Sequence, residues 1–600
     1  QSSVLITLFC AYGYFILNGA VWNADSRLAL TYAIVDRGTL TIDAYHHVTE
    51  DKSFHDGHYY TDKAPGLSFL AVPVYALLGP ALGDVFTGQL AFVMRYVITL
   101  AVVAFPAAAF GAWLCGALGD DRHGAPILDR TADRIALALC YGLGTIGLTN
   151  SIVFYSHHVT AMLVFAAFAL LRSQQAGADA DSQRGGKHAG RAVSGLAWWS
   201  PRASWRIMLA GLLCGYAVIT EFPAAIGAAS IAVYALATGG YSSARAAKLS
   251  RRSAGDAAGD ETSRLAPGSI SSDRSTLAQT AMDPEPSPTW GCSSPSTGSP
   301  SVATVTGNAA DLRAEPRAPL SNATGNDASP PFRTPPFRMT PFRMTPFRTT
   351  RFQWTELGTP ASSILARLNA LVWFTAGAVP PLLLLAWYNW AAFGSPFTLG
   401  YASLGGLPKF QEGMSRGLLG VTWPDLGALW GITFSPYRGL FLLSPWLLLA
   451  VPGVWLAWRR RPTEAALLAA VPIAYLLFNS AYFFWEGGDS LGPRHTVPAL
   501  PFLAWASAYA WSRLRPVGYV LGLFSIVLVV VATATAPFPP PEVGNPLAEL
   551  VAPALIRGDV VPNWGQLLGL PGAASLLPLA IVALTVPALA LVPRPTRSRR

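Results

Sequence analysis

Charge is scarce in this 600-residue chain: Asp, Glu, Lys and Arg together make up 12% of it, against 52% hydrophobic residues. Soluble domains carry about 25% charged residues, so the composition excludes a soluble multidomain protein, and equally a collagenous, coiled-coil or wholly disordered one. A membrane protein is expected. Cysteine is scarce too. Cys10, Cys115, Cys140 and Cys214 lie in apolar segments and Cys292 in a polar one, with no CxxC spacing and no histidine cluster beside them. Neither a disulfide framework nor a zinc site follows from that pattern. There is no Walker loop, no GxGxxG after a strand and no GxSxG elbow, so nucleotide chemistry has no motif to rest on. The adjacent pairs His46-His47 and His157-His158 are not the i, i+4 pair of a helical metal site, because neighbouring side chains on a helix diverge. No cofactor and no metal are expected.

Long apolar runs, by contrast, are plentiful. Twelve stretches read as membrane spans: about 3–21, 88–112, 135–150, 155–172, 207–219, 223–238, 367–388, 439–458, 464–482, 496–512, 517–535 and 574–592, to be set against the roughly 20 apolar residues that cross a bilayer. The first is followed by no small-residue cleavage site and reads as a retained span. The fifth and sixth are short. Gly215, the break at Thr220-Glu221-Phe222-Pro223 and Gly227 predict two half-length or bent helices meeting at a polar point. The apolar stretch Ala64 to Gly79 is only about 16 residues long and contains Pro73, so it is expected to lie in the membrane interface. This count places most Lys and Arg, and both termini, on the cytoplasmic side of a plasma or inner membrane. The net charge of +9 then belongs to that side, and a nucleic-acid partner is not expected.

The expected architecture is an all-α polytopic membrane protein. An N-terminal module, 1–239, holds a first outer loop at 22–87 and a cytoplasmic loop at 173–206; a disordered cytoplasmic insertion covers 240–360; a C-terminal module covers 361–600. Within the insertion the unit PFR recurs every five residues over 331–348, as PFRTP, PFRMT, PFRMT and PFRTT. That period fits no packed repeat architecture.

Polar residues gather on the predicted outer face, among them His46, His47, His55, His58, His157, His158 and His495. In WNADSRLALTYAIVDRG, Asp25 opens a short interfacial helix of about 25–37 that Gly38 stops. Asp25 can take a proton from an incoming hydroxyl, or else cap its helix or pair with Arg27. In DGHYYTDKAPG, Tyr59 and Tyr60 precede Lys63 at the start of the interfacial helix of about 64–79. Lys63 there can hold a phosphate or serve as a snorkelling anchor. In FFWEGGDSLGPRHTVPALPFL, Trp485 and the Gly487-Gly488 pair can offer a flat surface to a sugar ring, with Glu486 and His495 beside it. Arg494 can meet a phosphate or pair with Glu486 or Asp489. His157 and His158 are acid or base candidates, or polar interface residues. Arg95 and Glu221 are costly in lipid and are expected to face the protein interior.

The first outer loop resembles the GT-C membrane glycosyltransferases, in particular the group of protein O-mannosyltransferases and the lipid A aminoarabinose transferase. Shared with that group are Asp25-Ser26-Arg27 near the end of the first span, Gly38 after a helix, the turn from Asp56-Gly57 through Lys63-Ala64-Pro65, and the helix from Ala64 to Gly79. Arg95 also falls where the group places an Arg opening its second span. The resemblance implies a GT-C-like fold and a polyprenyl-phosphate sugar as donor, with the protein embedded among membrane lipids. It further implies inverting transfer to a hydroxyl on the outer face with no required metal, the acceptor being a glycolipid, polysaccharide or protein. Carried over from the group, Lys63 would hold the donor phosphate; Arg494, in a GPRH segment that is not part of the group's motifs, and Arg27 are read from the residues themselves as helping it, with Asp25 as base and His158 and Glu221 as further catalytic candidates. The sequence departs from the group at Ala24, where the first of two acidic residues is usual, so Asp62 and Glu221 also stand as candidate carboxylates. The rival readings are a transporter or flippase of lipid-linked or anionic solutes and a catalytically inactive GT-C-like scaffold. No internal repeat pairs the two halves as transporters commonly show.

Overall fold

A computed structural model describes residues 1–17, 21–82, 91–120, 126–184, 201–238 and 360–592, all within one compact unit, Gln1–Ala258 with Thr355–Arg600. Residues 239–359, with the PFR units at 331–348, lie outside the described residues, as do 185–200 of the loop expected at 173–206. Helices dominate. In order they are α1 (Ser2–Tyr12), α2 (Trp22–Arg37), α3 (Gly66–Leu82), α4 (Ala91–Thr99), α5 (Phe105–Ala117), α6 (Thr131–Leu143), α7 (Ser156–Arg184) and α8 (Pro201–Thr220), then α9 (Ala224–Thr238). The second half holds α10 (Pro360–Phe393), α11 (Pro408–Ser415), α12 (Leu426–Thr433), α13 (Leu440–Leu443), α14 (Ala450–Trp458), α15 (Pro462–Ala481), α16 (Leu500–Trp511) and α17 (Arg515–Thr535), closing on α18 (Ala552–Arg557), α19 (Trp564–Leu567) and α20 (Leu577–Leu591). A two-stranded hairpin, β1 (Lys52–His55) with β2 (His58–Thr61), interrupts the helices inside the first loop; the all-α reading did not include it.

Among the described residues five helices are long and apolar enough to cross a membrane: Phe92–Ala117, Ile364–Phe393, Pro462–Ala481, Arg515–Thr535 and Gly572–Leu591. Several of the twelve apolar stretches are shorter or broken as helices, for local reasons. After α1 the backbone leaves the helix to pair elsewhere: the Ile16 N–H donates to the Pro562 carbonyl (2.7 Å), and the Trp564 N–H to that of Tyr14 (3.1 Å). Pro445 interrupts 439–458, where α13 gives way to a 3₁₀ turn at Pro445–Leu449 before α14. The expected break at 220–223 is present, between α8 and α9. Gly215 lies inside the continuous helix α8.

Its role is packing. Gly211 and Gly215 form a GxxxG pair on α8, and Gly377 faces them from α10. A Cβ on Gly377 would overlap the Met208 carbonyl, and one on Gly211 the Phe374 carbonyl. Small residues allow this backbone-to-backbone approach, which drives helix association without a hydrophobic effect. Gly377→Ala is expected to cost about 1–3 kcal/mol through overpacking, seen as a lowered midpoint of unfolding; an unchanged midpoint would sink this packing assignment.

The core surrounds α7 and α16. Phe165 meets Phe110, Phe168, Phe502 and Trp505 at ring-centroid distances of 5.8, 5.2, 5.0 and 5.6 Å. At the Pro462 end of α15, buried Glu464 accepts from Arg172 Nε (3.1 and 3.2 Å), Trp505 Nε1 (2.9 Å) and Tyr509 (2.8 Å). The Arg172 guanidinium lies 4.9 Å over the Trp505 ring. At the other end of α15, Tyr482 packs on His495, their rings 5.4 Å apart. The candidate site lies there.

Candidate functional site

Asp56 and Gly57 both have positive φ, 48° and 84°, the geometry of a two-residue type I′ turn in which Asp and Gly are favoured. The turn fixes the hairpin register at Lys52↔Thr61 and His55↔His58. Continued by one step, it brings Asp51 beside Asp62. Lys63 Nζ then lies 2.9 Å from Asp62 Oδ2 and 3.1 Å from Asp51 Oδ2, and near the rings of Tyr401 (5.8 Å) and Phe410 (6.0 Å). Burial alone would pull the Lys63 pKa down; the two carboxylates outweigh it and raise the value to about 12. Burial pushes the Asp62 carboxyl up to about 6, Lys63 opposing and Asp51 reinforcing. Lys63 is therefore a fixed cation, and Asp51, with an 18% exposed side chain against 2% for Asp62, is its accessible partner.

Arg27 ties the neighbouring segments together. It is fully buried in α2, with Nε donating to Asn23 Oδ1 (3.2 Å), Nη1 to the carbonyls of Ala64 (2.8 Å) and Thr220 (3.2 Å), and Nη2 to Glu221 Oε2 (2.8 Å). The Thr220 carbonyl is free to accept because α8 ends there, leaving its last carbonyls without intrahelical partners. Glu221 Oε2 also accepts from Ser156 Oγ and lies 3.9 Å from His157 Nδ1. The rings of His157 and His495 are 5.7 Å apart, and among the described residues the Nε2 of each is buried without a hydrogen-bond partner. Tyr401 links the two groups: burial first, then the charges of Asp62 and Glu221, hold its phenol well above its ordinary pKa, with Arg27 opposing.

Arg494 completes the cluster. Its guanidinium is 5.6 Å from the Tyr155 ring and 6.0 Å from that of Phe484. Among the described residues it forms no ion pair, neither with Glu486 nor with Asp489, and its Nε is buried without a partner. The structure thus brings together Lys63, Asp62, Arg27, Glu221, His157, Arg494 and His495 from the sequence candidates, and adds Asp51 to them.

The other candidates lie apart. Asp25 is buried on a different side of α2, as residues two apart on a helix must be. Its Oδ2 accepts from the Val21 N–H (2.9 Å), and Oδ1 lies 2.8 Å from Arg95 Nη2 without hydrogen-bond alignment. Its carboxyl is raised by burial, which outweighs the lowering effects of Arg95 and the Val21 N–H. The pairing with Arg27 allowed by the sequence is not made. Both nitrogens of His158 are engaged internally, with Tyr141 (2.8 Å) and Ser151 (2.6 Å). Tyr59 stacks on His46 at 4.3 Å, and Tyr60 packs on Phe393 at 5.3 Å. Trp485 lies against Tyr437 at 5.7 Å and covers Gly431, where a Cβ would collide with it. Glu486 is half-buried beside it. Among the described residues no three His, Cys, Asp or Glu side chains converge as metal ligands would.

A large, mostly apolar cleft of about 1340 Å³ lies away from this cluster, along α3, α5 and α7; its lining includes Leu70, Val74, Phe110, Trp113 and Phe165, and also Arg134 and Arg172. Compared with protein-family models, curated proteins and solved structures, the chain matches none, and the reading of its function rests on this geometry.

Proposed function

We propose that the protein is a multi-pass membrane glycosyltransferase of GT-C plan, with about 12 spans, that moves a sugar from a polyprenyl-phosphate donor to an acceptor hydroxyl on the outer face. The observation that carries this reading is a lysine held between two carboxylates, Lys63, sharing one cluster with Arg494, a cation that forms no ion pair among the described residues. Such cations stabilise a leaving phosphate when they are positioned beforehand. The apolar cleft adds to it, since Leu70 and Val74 on its wall lie about two to three turns along α3 from Lys63, a distance a lipid tail bridges without bending back.

In this mechanism the donor phosphate binds Lys63 and Arg494 and displaces Asp51, the more exposed carboxylate. Asp51 then accepts the acceptor proton as the hydroxyl oxygen attacks the anomeric carbon. The bond from that carbon to the phosphate oxygen breaks with inversion, and its electron pair leaves on the phosphate. Arg27 and Glu221 hold the segments in register. Asp25 in this reading orients α2 through Arg95 rather than touching substrate.

The test is binding of polyprenyl phosphate to the chain in nanodiscs. Lys63→Ala and Arg494→Ala are each expected to weaken it about 10- to 100-fold, as loss of a charge-assisted hydrogen bond does. Binding indifferent to both would remove the assignment. Because Asp62 titrates near 6, acidification through that value leaves Lys63 with a single carboxylate. Asp62→Asn is accordingly expected to bind several-fold tighter at neutral pH. The sign for stability is the reverse of a normal carboxylate: the raised folded pKa of Asp62 contributes stability below about pH 4 that is lost as pH rises through about 6.

A further inference from the structure

Arg438 is a cation that the cluster around Lys63 does not use. It lies between Tyr437 and α13 and is fully buried, yet among the described residues it forms no ion pair. Nη2 donates to the carbonyls of Gly488 (3.2 Å) and Pro539 (3.1 Å), and the guanidinium lies 4.7 Å over the Tyr437 ring. Among the described residues Nε and Nη1 are buried without a hydrogen-bond partner. A buried guanidinium with two unused donor nitrogens is costly, and an anion with lone pairs to accept from them would offset that cost.

A second, separate observation points to the same place. Arg494 also approaches the Gly487-Gly488 turn: a Cβ on Gly487 would lie 3.1 Å from Arg494 Cγ. Both glycines have positive φ, 74° and 63°, a conformation glycine adopts at no steric cost. That turn presents the Gly488 carbonyl to Arg438 and leaves room for Arg494, whose Nε is also buried without a hydrogen-bond partner among the described residues. Burial pulls the Arg438 pKa down; Tyr437 and Asp489 oppose this, and the positive charge of Arg494 adds to it. Two cations therefore repel each other across one turn, with exposed Asp489 between their fields.

We propose that Arg438 and Arg494 form an oxyanion-binding subsite at the Gly487-Gly488 turn, taking a phosphoryl or carboxylate group of the substrate. The subsite stands on the two arginines and shares Arg494 with the donor-phosphate assignment above, but it does not depend on the transfer reaction. The anionic group has two chemical sources, the phosphate of a lipid-linked donor or an acidic group on a soluble acceptor.

The experiment uses the full chain in nanodiscs of uncharged lipid, with inorganic phosphate as probe and chloride of equal ionic strength as control. Thermal unfolding reports binding, since a ligand of the folded state alone raises the midpoint. Each measurement is repeated in Lys63→Ala, so that loss at Lys63 and loss at the subsite are told apart. Phosphate is expected to stabilise both backgrounds beyond chloride. Arg438→Gln and Arg494→Gln should each weaken phosphate binding about tenfold or more, and Arg438→Lys should keep part of it. If polyprenyl phosphate competes with inorganic phosphate in the Lys63→Ala background, the group belongs to the donor; if the two bind together, it belongs to the acceptor, and Arg494 then serves the acceptor and not the donor phosphate. Phosphate no better than chloride in the wild type overturns the proposal. So does phosphate binding unchanged in folded Arg438→Gln. Should that variant fail to fold, unchanged binding in Arg438→Lys and Arg494→Gln overturns it equally.

Discussion

Arg27→Ala is expected to lose about 3–5 kcal/mol of stability, because it strands Glu221 as a buried, uncompensated carboxylate. The arginine is 1% exposed and Glu221 8%, so water does little to rescue the charge left behind. The loss extends beyond the ion pair, since the carbonyls of Ala64 and Thr220 forfeit a donor in the same step. The check is a chemical unfolding curve set beside that of a double variant, Arg27→Met with Glu221→Gln, which removes both charges. If the large term is the stranded charge, the double variant recovers much of the loss and the two changes are strongly non-additive. A single variant as stable as wild type would mean that Arg27 does not hold these segments together.

Asp51→Asn is expected to leave polyprenyl-phosphate binding intact while lowering turnover about 10²- to 10⁴-fold, the usual contribution of a positioned general base. Asparagine matches the carboxylate in shape but does not take the proton. With one negative charge fewer beside Lys63, donor affinity should hold or rise. The same measurement on Asp25→Asn separates the two carboxylates: its partners are Arg95 and the Val21 N–H, so its effect should fall on stability rather than on turnover. Undiminished turnover in Asp51→Asn with loss in Asp25→Asn would return the base to the carboxylate that the outer-loop resemblance favours.

The helical parts of the first loop are legible in the sequence. Asp25, Ala29, Tyr32 and Asp36 follow one helix face, and Gly38 ends α2 in the left-handed conformation, φ 64°. The hairpin is legible in principle as well. A two-residue Asp-Gly turn makes residue numbers across the strands sum to a constant, so 55 and 58 opposite each other place 51 opposite 62. Attending to the strands rather than to the turn alone would have found Asp51. What no local pattern contains is the partner of a buried charge. Arg27 reaches Glu221 across 194 positions of chain, and Arg172 reaches Glu464 across 292. Arg438 is unremarkable in Ser435-Pro436-Tyr437-Arg438, because its unsatisfied nitrogens arise only once Gly488 and Pro539 close around it.

The two buried clusters that end α15 have a consequence for the lipid. The helix has 20 residues, about 30 Å at 1.5 Å per residue, which equals the thickness of a bilayer's hydrocarbon core. One end is locked by Glu464 to Arg172, Trp505 and Tyr509; the other packs Tyr482 on His495 beside the charged cluster. A lone helix accommodates a thinner membrane by tilting, at a fraction of a kcal/mol per Å of mismatch. A helix clamped at both ends has lost that freedom, so if α15 crosses the membrane, as its length and apolarity allow, the bilayer must adjust to the protein. Reconstitution into lipids of graded chain length should therefore give an optimum near this thickness.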